Sequence, residues 1–274
     1  MLIIFDLDDT LIDTSGFVTP YQLRGALQEL LQGSPLLYSE RSKTVNLASV
    51  KATGFIDLKS PNIANIGGFE IDEPRELSRG PNSQFLTAPS IFDPLYQELM
   101  QFNQEAATSK QALTRLAARY HFSPESLHRA CDAMTRPLPH TFSIPLTLGA
   151  QKILSYLSST DAFLALVTHG VPSFQMEKLE KSGIDPTIFS NMAIPEEGSK
   201  GPYYQALGEA FGVSPRETWV IGDRPMADLL PAYELGCRTL LRRWGRGVKE
   251  PRSPWMDGEL FDLSEYIEYK EEAR

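Results

Sequence analysis

Leu2-Ile3-Ile4-Phe5-Asp6-Leu7-Asp8-Asp9-Thr10 decides the fold. Four consecutive apolar residues suit a central strand of a parallel sheet, buried on both faces. The run ends at Asp6, and Asp8 follows two positions later. Side chains two apart on extended backbone point the same way, so both carboxylates can face one pocket. Open α/β sheets bind ligands at the carboxyl ends of their strands, which makes this edge the first place to look for chemistry.

The rest of such a sheet lies far along the chain. From Leu146 onward the pattern predicts a helix over about 148–157, a strand at Phe163–Val167 and a helix over about 173–181 stopped by Gly183. A strand near 188–193, a helix over 202–211 ending at Gly212, a strand at 219–221, a helix closed by Gly236 and a strand at 238–241 follow. Strand–helix alternation of this kind argues for right-handed βαβ units. Ser214-Pro215-Arg216-Glu217 has capping-box spacing ahead of the strand at 219–221. The core is therefore split into residues 1–14 and 144–274, with residues 15–143 inserted after the first strand as a cap over the carboxyl edge. The predicted class is α/β, a three-layer Rossmann-like parallel sheet core with an inserted, mainly helical cap domain.

Within the insertion, helical spacing covers about 20–31 and then about 94–120, the latter as one helix. Ser123-Pro124 reads as an N-cap with proline at the first helical position. Pro137, Pro139 and Pro145 mark a linker. Residues 34–89 are rich in Gly, Pro, Asn and Ser; Phe55–Leu58 and Gly68–Ile71 are short strand candidates there.

Composition bounds the function. Of 274 residues, 42% are apolar and 22% charged, as in an ordinary globular domain. The net charge of −9 repels nucleic acid and anionic membrane, so neither is an expected partner. Cys131 and Cys237 are the only cysteines, too few for a disulfide framework or a four-Cys zinc site. No apolar run is long enough to span a membrane, and Asp6 interrupts the first one before a signal-peptide core can form. A cytoplasmic location is expected.

Four polar signals fall at predicted strand ends: Asp6 with Asp8 and Thr10; Thr168 followed by His169; Lys200; and Gly222-Asp223 with Asp228. In parallel strands all four reach one edge. Here the chain resembles the haloacid dehalogenase-like hydrolases, in their phosphatase branch. The match to DxDxT is Asp6, Asp8 and Thr10, the second motif's hydroxyl is Thr168, the third motif's lysine is Lys200, and GDxxxxD is Gly222, Asp223 and Asp228. His169 stands where the family often has Asn, and Gly201 follows the lysine where Pro is frequent. The resemblance covers residues 1–14 and about 144–265, not the insertion.

That resemblance implies a Mg²⁺-dependent phosphatase acting on a small phosphorylated metabolite through an aspartyl-phosphate. Phosphate monoesters are so inert that such an enzyme must lower the barrier by well over ~20 kcal/mol. Asp6 would be the nucleophile, which splits the reaction into two displacements. Asp8 would protonate the leaving oxygen and then deprotonate water. Thr168 and Lys200 would hold the phosphoryl oxygens, with Leu7, Thr10 and His169 also contacting substrate. Mg²⁺ would be held by Asp6, the backbone carbonyl of Asp8 and Asp223, supported by Asp228.

Other classes fit less well. An EF-hand loop counted from Asp6 would need Gly at position six and Glu at position twelve, where Leu11 and Phe17 stand. The family's dehalogenases lack an acid at the position of Asp8, and its ion-pumping ATPases carry lysine at the position of Leu7. Receiver domains place their phosphorylated aspartate in a later strand. The remaining alternative is a silent or weakly catalytic core serving as an interaction protein through its cap. In the basic cluster Arg238, Arg242, Arg243, Arg246, Lys249 and Arg252, a solvated or internally paired face competes with a role at the cleft mouth.

Overall fold

The computed structural model describes residues 1–32, 89–106 and 108–272. Six strands form one parallel sheet: β1 Leu2–Phe5, β2 Phe163–Val167, β3 Asn191–Ala193, β4 Thr218–Gly222, β5 Arg238–Arg242 and β6 Gly258–Leu260. Their order is β3-β2-β1-β4-β5-β6. The strand order reverses beside β1, the switch point at which doubly wound sheets form their crevice. Phe5 is in register with Leu166 of β2 and Ile221 of β4, so the residues after these positions emerge at one level.

Alternation within the strands assigns the two faces. Ile3, Phe5, Leu164, Leu166, Trp219 and Ile221 pack with Ile153 and Leu157 of α5 (Ala150–Ser158), Leu179 of α6 (Pro172–Ser182) and Tyr266 of α9 (Glu265–Glu272). Leu2, Ile4, Ala165, Val167 and Val220 pack with Tyr204 and Leu207 of α7 (Gly201–Phe211) and Ala232 of α8 (Leu230–Glu234). Helices thus cover both faces of the sheet, the three-layer arrangement predicted. Gly183 and Gly212 end α6 and α7 at φ of +74° and +63°, where a side chain would be strained.

A second core lies outside the sheet. Leu23, Leu27 and Leu30 of α1 (Thr19–Leu31) meet Leu95 and Leu99 of α2 (Pro89–Glu105), Leu113 and Leu116 of α3 (Ser109–Arg119) and Ala130 of α4 (Pro124–Ala133). This is the inserted helical cap. The single helix predicted over 94–120 is two. Thr108 adopts extended backbone and its hydroxyl accepts from Gln111 N at 3.2 Å, so a new helix starts there. Pro94 lies inside α2 rather than at its start; burial of Leu95 and Leu99 outweighs its missing N–H. Ser123 caps α4 as predicted, accepting from Ser126 N at 3.2 Å.

Ser214 does not cap backbone. Its hydroxyl instead donates to Glu217 Oε2 at 2.6 Å across a short turn before β4. The strand candidates Phe55–Leu58 and Gly68–Ile71 lie outside the described residues. Strand β6 and helix α9 have no counterpart in the sequence pattern: three residues beginning at Gly258 carry no β signal.

Candidate active site

The chain turns sharply after β1. Leu7 O accepts from Leu11 N at 2.9 Å and from Ile12 N at 3.2 Å, which folds Asp8, Asp9 and Thr10 back over the strand end. Asp9 sits at φ +56°, a left-handed conformation Asp tolerates through local hydrogen bonds. Its carboxylate accepts from Ser15 N at 2.7 Å and from the Ser15 hydroxyl. Asp6 N donates to Ile221 O at 3.0 Å, which locks the start of this turn to β4.

The other strand ends converge on it. Thr168 follows β2 and Asp223 follows β4. Lys200 precedes α7, and Asp228 lies in the widened turn Pro225–Leu229. Asp6, Asp8, Thr168, His169, Lys200, Asp223 and Asp228 line one cleft of about 210 Å³. Seven of the nine residues singled out from sequence therefore meet. Leu7 and Thr10 do not line it. Leu7 buries its side chain in the sheet core, and the fully buried Thr10 leaves its hydroxyl without a hydrogen bond.

Lys200 is 1% exposed, and its Nζ lies 2.6 Å from Asp6 Oδ1 and 2.6 Å from Asp228 Oδ1. These two carboxylates hold its pKa above the ordinary lysine value against the opposing effect of burial. Asp228 Oδ2 accepts from Arg224 N at 2.9 Å, so both its oxygens are engaged. Burial, only partly offset by Lys200 and reinforced by Asp228 and Asp8, raises Asp6 to about 7. Burial and the charges of Asp228 and Asp6 raise Asp223 well above its ordinary value.

Carboxylate oxygens of Asp6, Asp223 and Asp228 lie within 4.8 Å of one another. Buried acids held that close resist ionising together unless a cation joins them. An all-oxygen donor set suits a hard divalent cation such as Mg²⁺. The residues present therefore fit the metal expected from sequence.

Asp8 is turned elsewhere. Its Oδ1 and Oδ2 lie 2.5 and 2.6 Å from Lys178 Nζ; Thr14 Oγ1 donates to Oδ1 at 2.5 Å and Gln175 Nε2 to Oδ2 at 3.0 Å. Burial pushes its pKa up, but Lys178 and these hydrogen bonds prevail and hold it below the ordinary carboxylate value. His169 Nε2 donates to Gly198 O at 2.9 Å, and burial with nearby Lys200 holds the imidazole below its usual pKa.

Several lining or supporting residues were not singled out from sequence: Thr14, Gln175, Lys178, Arg224 and, from the cap, Gln22 and Ser109. Lys178 and Gln175 are three apart on α6, among Phe174 and Leu179 of its buried face. Polar residues at core-facing helical positions were the available signal. In the basic cluster, Arg246 lines the cleft. Arg242 is fully buried on the carbonyls of Leu148, Leu260 and Phe261, and Arg243 pairs with Glu259 at 2.6 Å.

Known proteins share part of this sequence and its overall fold. A glyceraldehyde 3-phosphate phosphatase of Pyrococcus furiosus is 26% identical over 194 residues, 65% of this chain and 74% of the relative. A phosphoserine phosphatase of Thermus thermophilus is 34% identical over 114 residues, 40% of this chain and 45% of the relative. Among solved structures, a protein described as a predicted phosphoglycolate phosphatase of Haemophilus somnus superposes with a TM-score of 0.61 at 16% identity, covering 98% of this chain and 97% of its own. The CbbY protein of Rhodobacter sphaeroides in complex with phosphate gives 0.54 at 17% identity, over 96% and 95% of the two chains. The family model for haloacid dehalogenase-like hydrolases matches residues 1–236, which contain every acid, hydroxyl and lysine of the cleft described above, and the chain belongs to that family.

Proposed function

We propose that the chain is a Mg²⁺-dependent phosphatase that hydrolyses a small phosphorylated metabolite through an aspartyl-phosphate on Asp6. The observation that carries this reading is the Lys200 ammonium bridging Asp6 and Asp228, 2.6 Å from each, beside Asp223 in one buried cluster. A nucleophilic carboxylate, a fixed cation and a metal-ready acidic pair stand at one strand edge, as phosphoryl transfer requires.

Asp8, a carboxylate before substrate arrives, takes up a proton from solvent when the negative phosphate joins it in the cleft; Asp6 then attacks phosphorus and the ester oxygen leaves with that proton from Asp8. Asp8, now ionised, takes a proton from the water that releases phosphate. Lys200, the Thr168 hydroxyl and the backbone N–H of Leu7 hold the phosphoryl oxygens. His169 lines the same wall. Mg²⁺ would be held by Asp6, the Asp8 carbonyl and Asp223, with Asp228 orienting Lys200. Bound there, it supplies the positive charge that lets a phosphate approach several carboxylates. Residues 1–14 and 144–274 form the catalytic unit and 15–143 the cap, whose Gln22 and Ser109 reach the cleft from the leaving-group side. Two free thiols, Cys131 and Cys237, agree with a reducing cytoplasm. No described helix is long and apolar enough to cross a membrane.

Release of inorganic phosphate from 4-nitrophenyl phosphate with Mg²⁺ is the test. Asp6→Asn should reduce it by at least about 10³-fold, because no second group can become the phosphoryl acceptor. Full activity of Asp6→Asn, or of the wild type in EDTA, would sink the mechanism. A wild type without any turnover would leave the interaction-protein alternative.

A further inference from the structure

Lys178 stands out among the buried charges because the chemistry proposed above gives it no task. Its side chain is 5% exposed, on the inner face of α6. Its ammonium reaches both oxygens of Asp8, at 2.5 and 2.6 Å. Gln175, one helical turn earlier, adds a hydrogen bond of 3.0 Å to Oδ2, and Thr14 adds one of 2.5 Å to Oδ1. The Asp8 carboxylate thus receives hydrogen bonds from three side chains, about its full accepting capacity. The cradle is stiff. Phe174 and Leu179 anchor α6 in the sheet core, and Phe174 also lies under the Lys178 ammonium, 5.3 Å from ring centre to Nζ.

The direction of the cradle is informative. Asp6, Asp223 and Asp228 gather their oxygens within 4.8 Å, and Asp8 is not a member of that group. Lys178 draws it toward α6, along the cleft wall. A carboxylate that serves first as proton donor and then as acceptor must stay within hydrogen-bond reach of the leaving oxygen and must not collapse onto the metal cluster two residues away. Thr14, the last core residue before the inserted segment, ties the same carboxylate to the entry of the cap.

We infer that Lys178 is a positioning residue, which with Gln175 and Thr14 fixes the Asp8 carboxylate for proton transfer to the leaving group and keeps it out of the metal cluster. The inference rests on the role proposed for Asp8. It predicts a defect that depends on the leaving group. An enzyme with a misplaced acid should still expel 4-nitrophenolate, which needs little protonation, but should fail with the more basic phenolate.

The experiment compares kcat/KM for phenyl phosphate and 4-nitrophenyl phosphate in wild type, Lys178→Met, Lys178→Arg, Asp8→Asn and the Asp8→Asn/Lys178→Met double variant. Lys178→Met should lose more than about tenfold on phenyl phosphate and less than about threefold on 4-nitrophenyl phosphate. Lys178→Arg should recover part of the loss. In the Asp8→Asn background, removing Lys178 should cost nothing further, because it acts through Asp8. Equal losses on both substrates, or losses that multiply in the double variant, would overturn the inference while leaving the phosphatase reading intact. A wild type inactive on both substrates would overturn the two together. If Lys178→Met fails to fold, Gln175→Leu carries the same test, with a leaving-group-dependent loss of a few-fold expected and an unchanged ratio overturning the idea.

Discussion

Asp6, Asp223 and Asp228 are three acids buried around one lysine, and their protonation links the site to stability. Asp6 ionises near 3.8 in an ordinary setting and at about 7 here, chiefly through burial. Asp223 shifts the same way, for the same reason and because Asp228 and Asp6 repel its charge. Between the two values the folded protein binds protons that the unfolded chain has released. Their contribution to stability is therefore full below about pH 4 and is lost as pH rises through about 7. Mg²⁺ bound by these acids would replace those protons, so its benefit should grow as they leave. Thermal unfolding with Mg²⁺ or EDTA should show a larger metal-induced rise in Tm at pH 8 than at pH 5.5. An equal rise at both would mean that the metal is not bound by these acids. The acids were legible in the sequence because the chemistry dictates residue type and strand-end position. Leu7 and Thr10 were less so: motif membership says nothing of side-chain direction, and the tight turn at Leu7 sends both inward. Lys178 was hidden because its role depends on helix α6 docking beside β1, a long-range fact.

At the scale of elements, strands read well wherever four or five apolar residues lay between turn signals, and helices wherever Gly closed them. Segments whose shape is set by neighbours read badly. The break between α2 and α3 turns on one threonine hydroxyl. The turn Gly245–Val248 after β5 is clearer still: sequence offered only a basic cluster, yet this turn packs on the site. A Cβ on Gly247 would collide with the Arg242 carbonyl and lie 2.9 Å from the carbonyl oxygen of Asp223. Neither obstacle is a movable side-chain end. Gly247→Ala should therefore push Asp223 out of place, costing about 2 kcal/mol or about 4–8 °C in Tm. It should also raise the Mg²⁺ concentration for half-maximal activity several-fold. A melt and a Mg²⁺ titration matching the wild type would show that this turn is not part of the metal site's wall.

For the whole molecule, two cores, one around the sheet and one among α1 to α4, meet at the catalytic edge. The chain crosses between them after Val18, the last of the first segment's residues packed in the sheet core, and returns before Thr147, whose hydroxyl donates to Thr10 O at 2.5 Å. In such an arrangement the catalytic edge would stay fixed while the cap would choose what reaches it. Among the described contacts that span both bodies, Arg246, which lines the cleft, donates to Asn103 Oδ1 at 3.2 Å and to its carbonyl at 3.4 Å. Asn103 is 7% exposed, and Oδ1 also accepts from the Ser109 hydroxyl at 2.8 Å. Ser109 itself lines the cleft, so one amide on α2 sets both a core cation and a cap hydroxyl at its mouth. Asn103→Ala removes that side-chain link without touching Asp6, Lys200 or the acids. Its effect should fall on selection rather than on chemistry. Relative kcat/KM among phosphorylated three-carbon acids, aldehydes and sugars should change by about tenfold, equivalent to about 1.4 kcal/mol between competing transition states. Turnover of 4-nitrophenyl phosphate, which makes few demands on the cap, should fall less than threefold. A uniform loss across all substrates would place Asn103 with the catalytic machinery. An unchanged ranking would move the choice of substrate to cap residues farther from this junction.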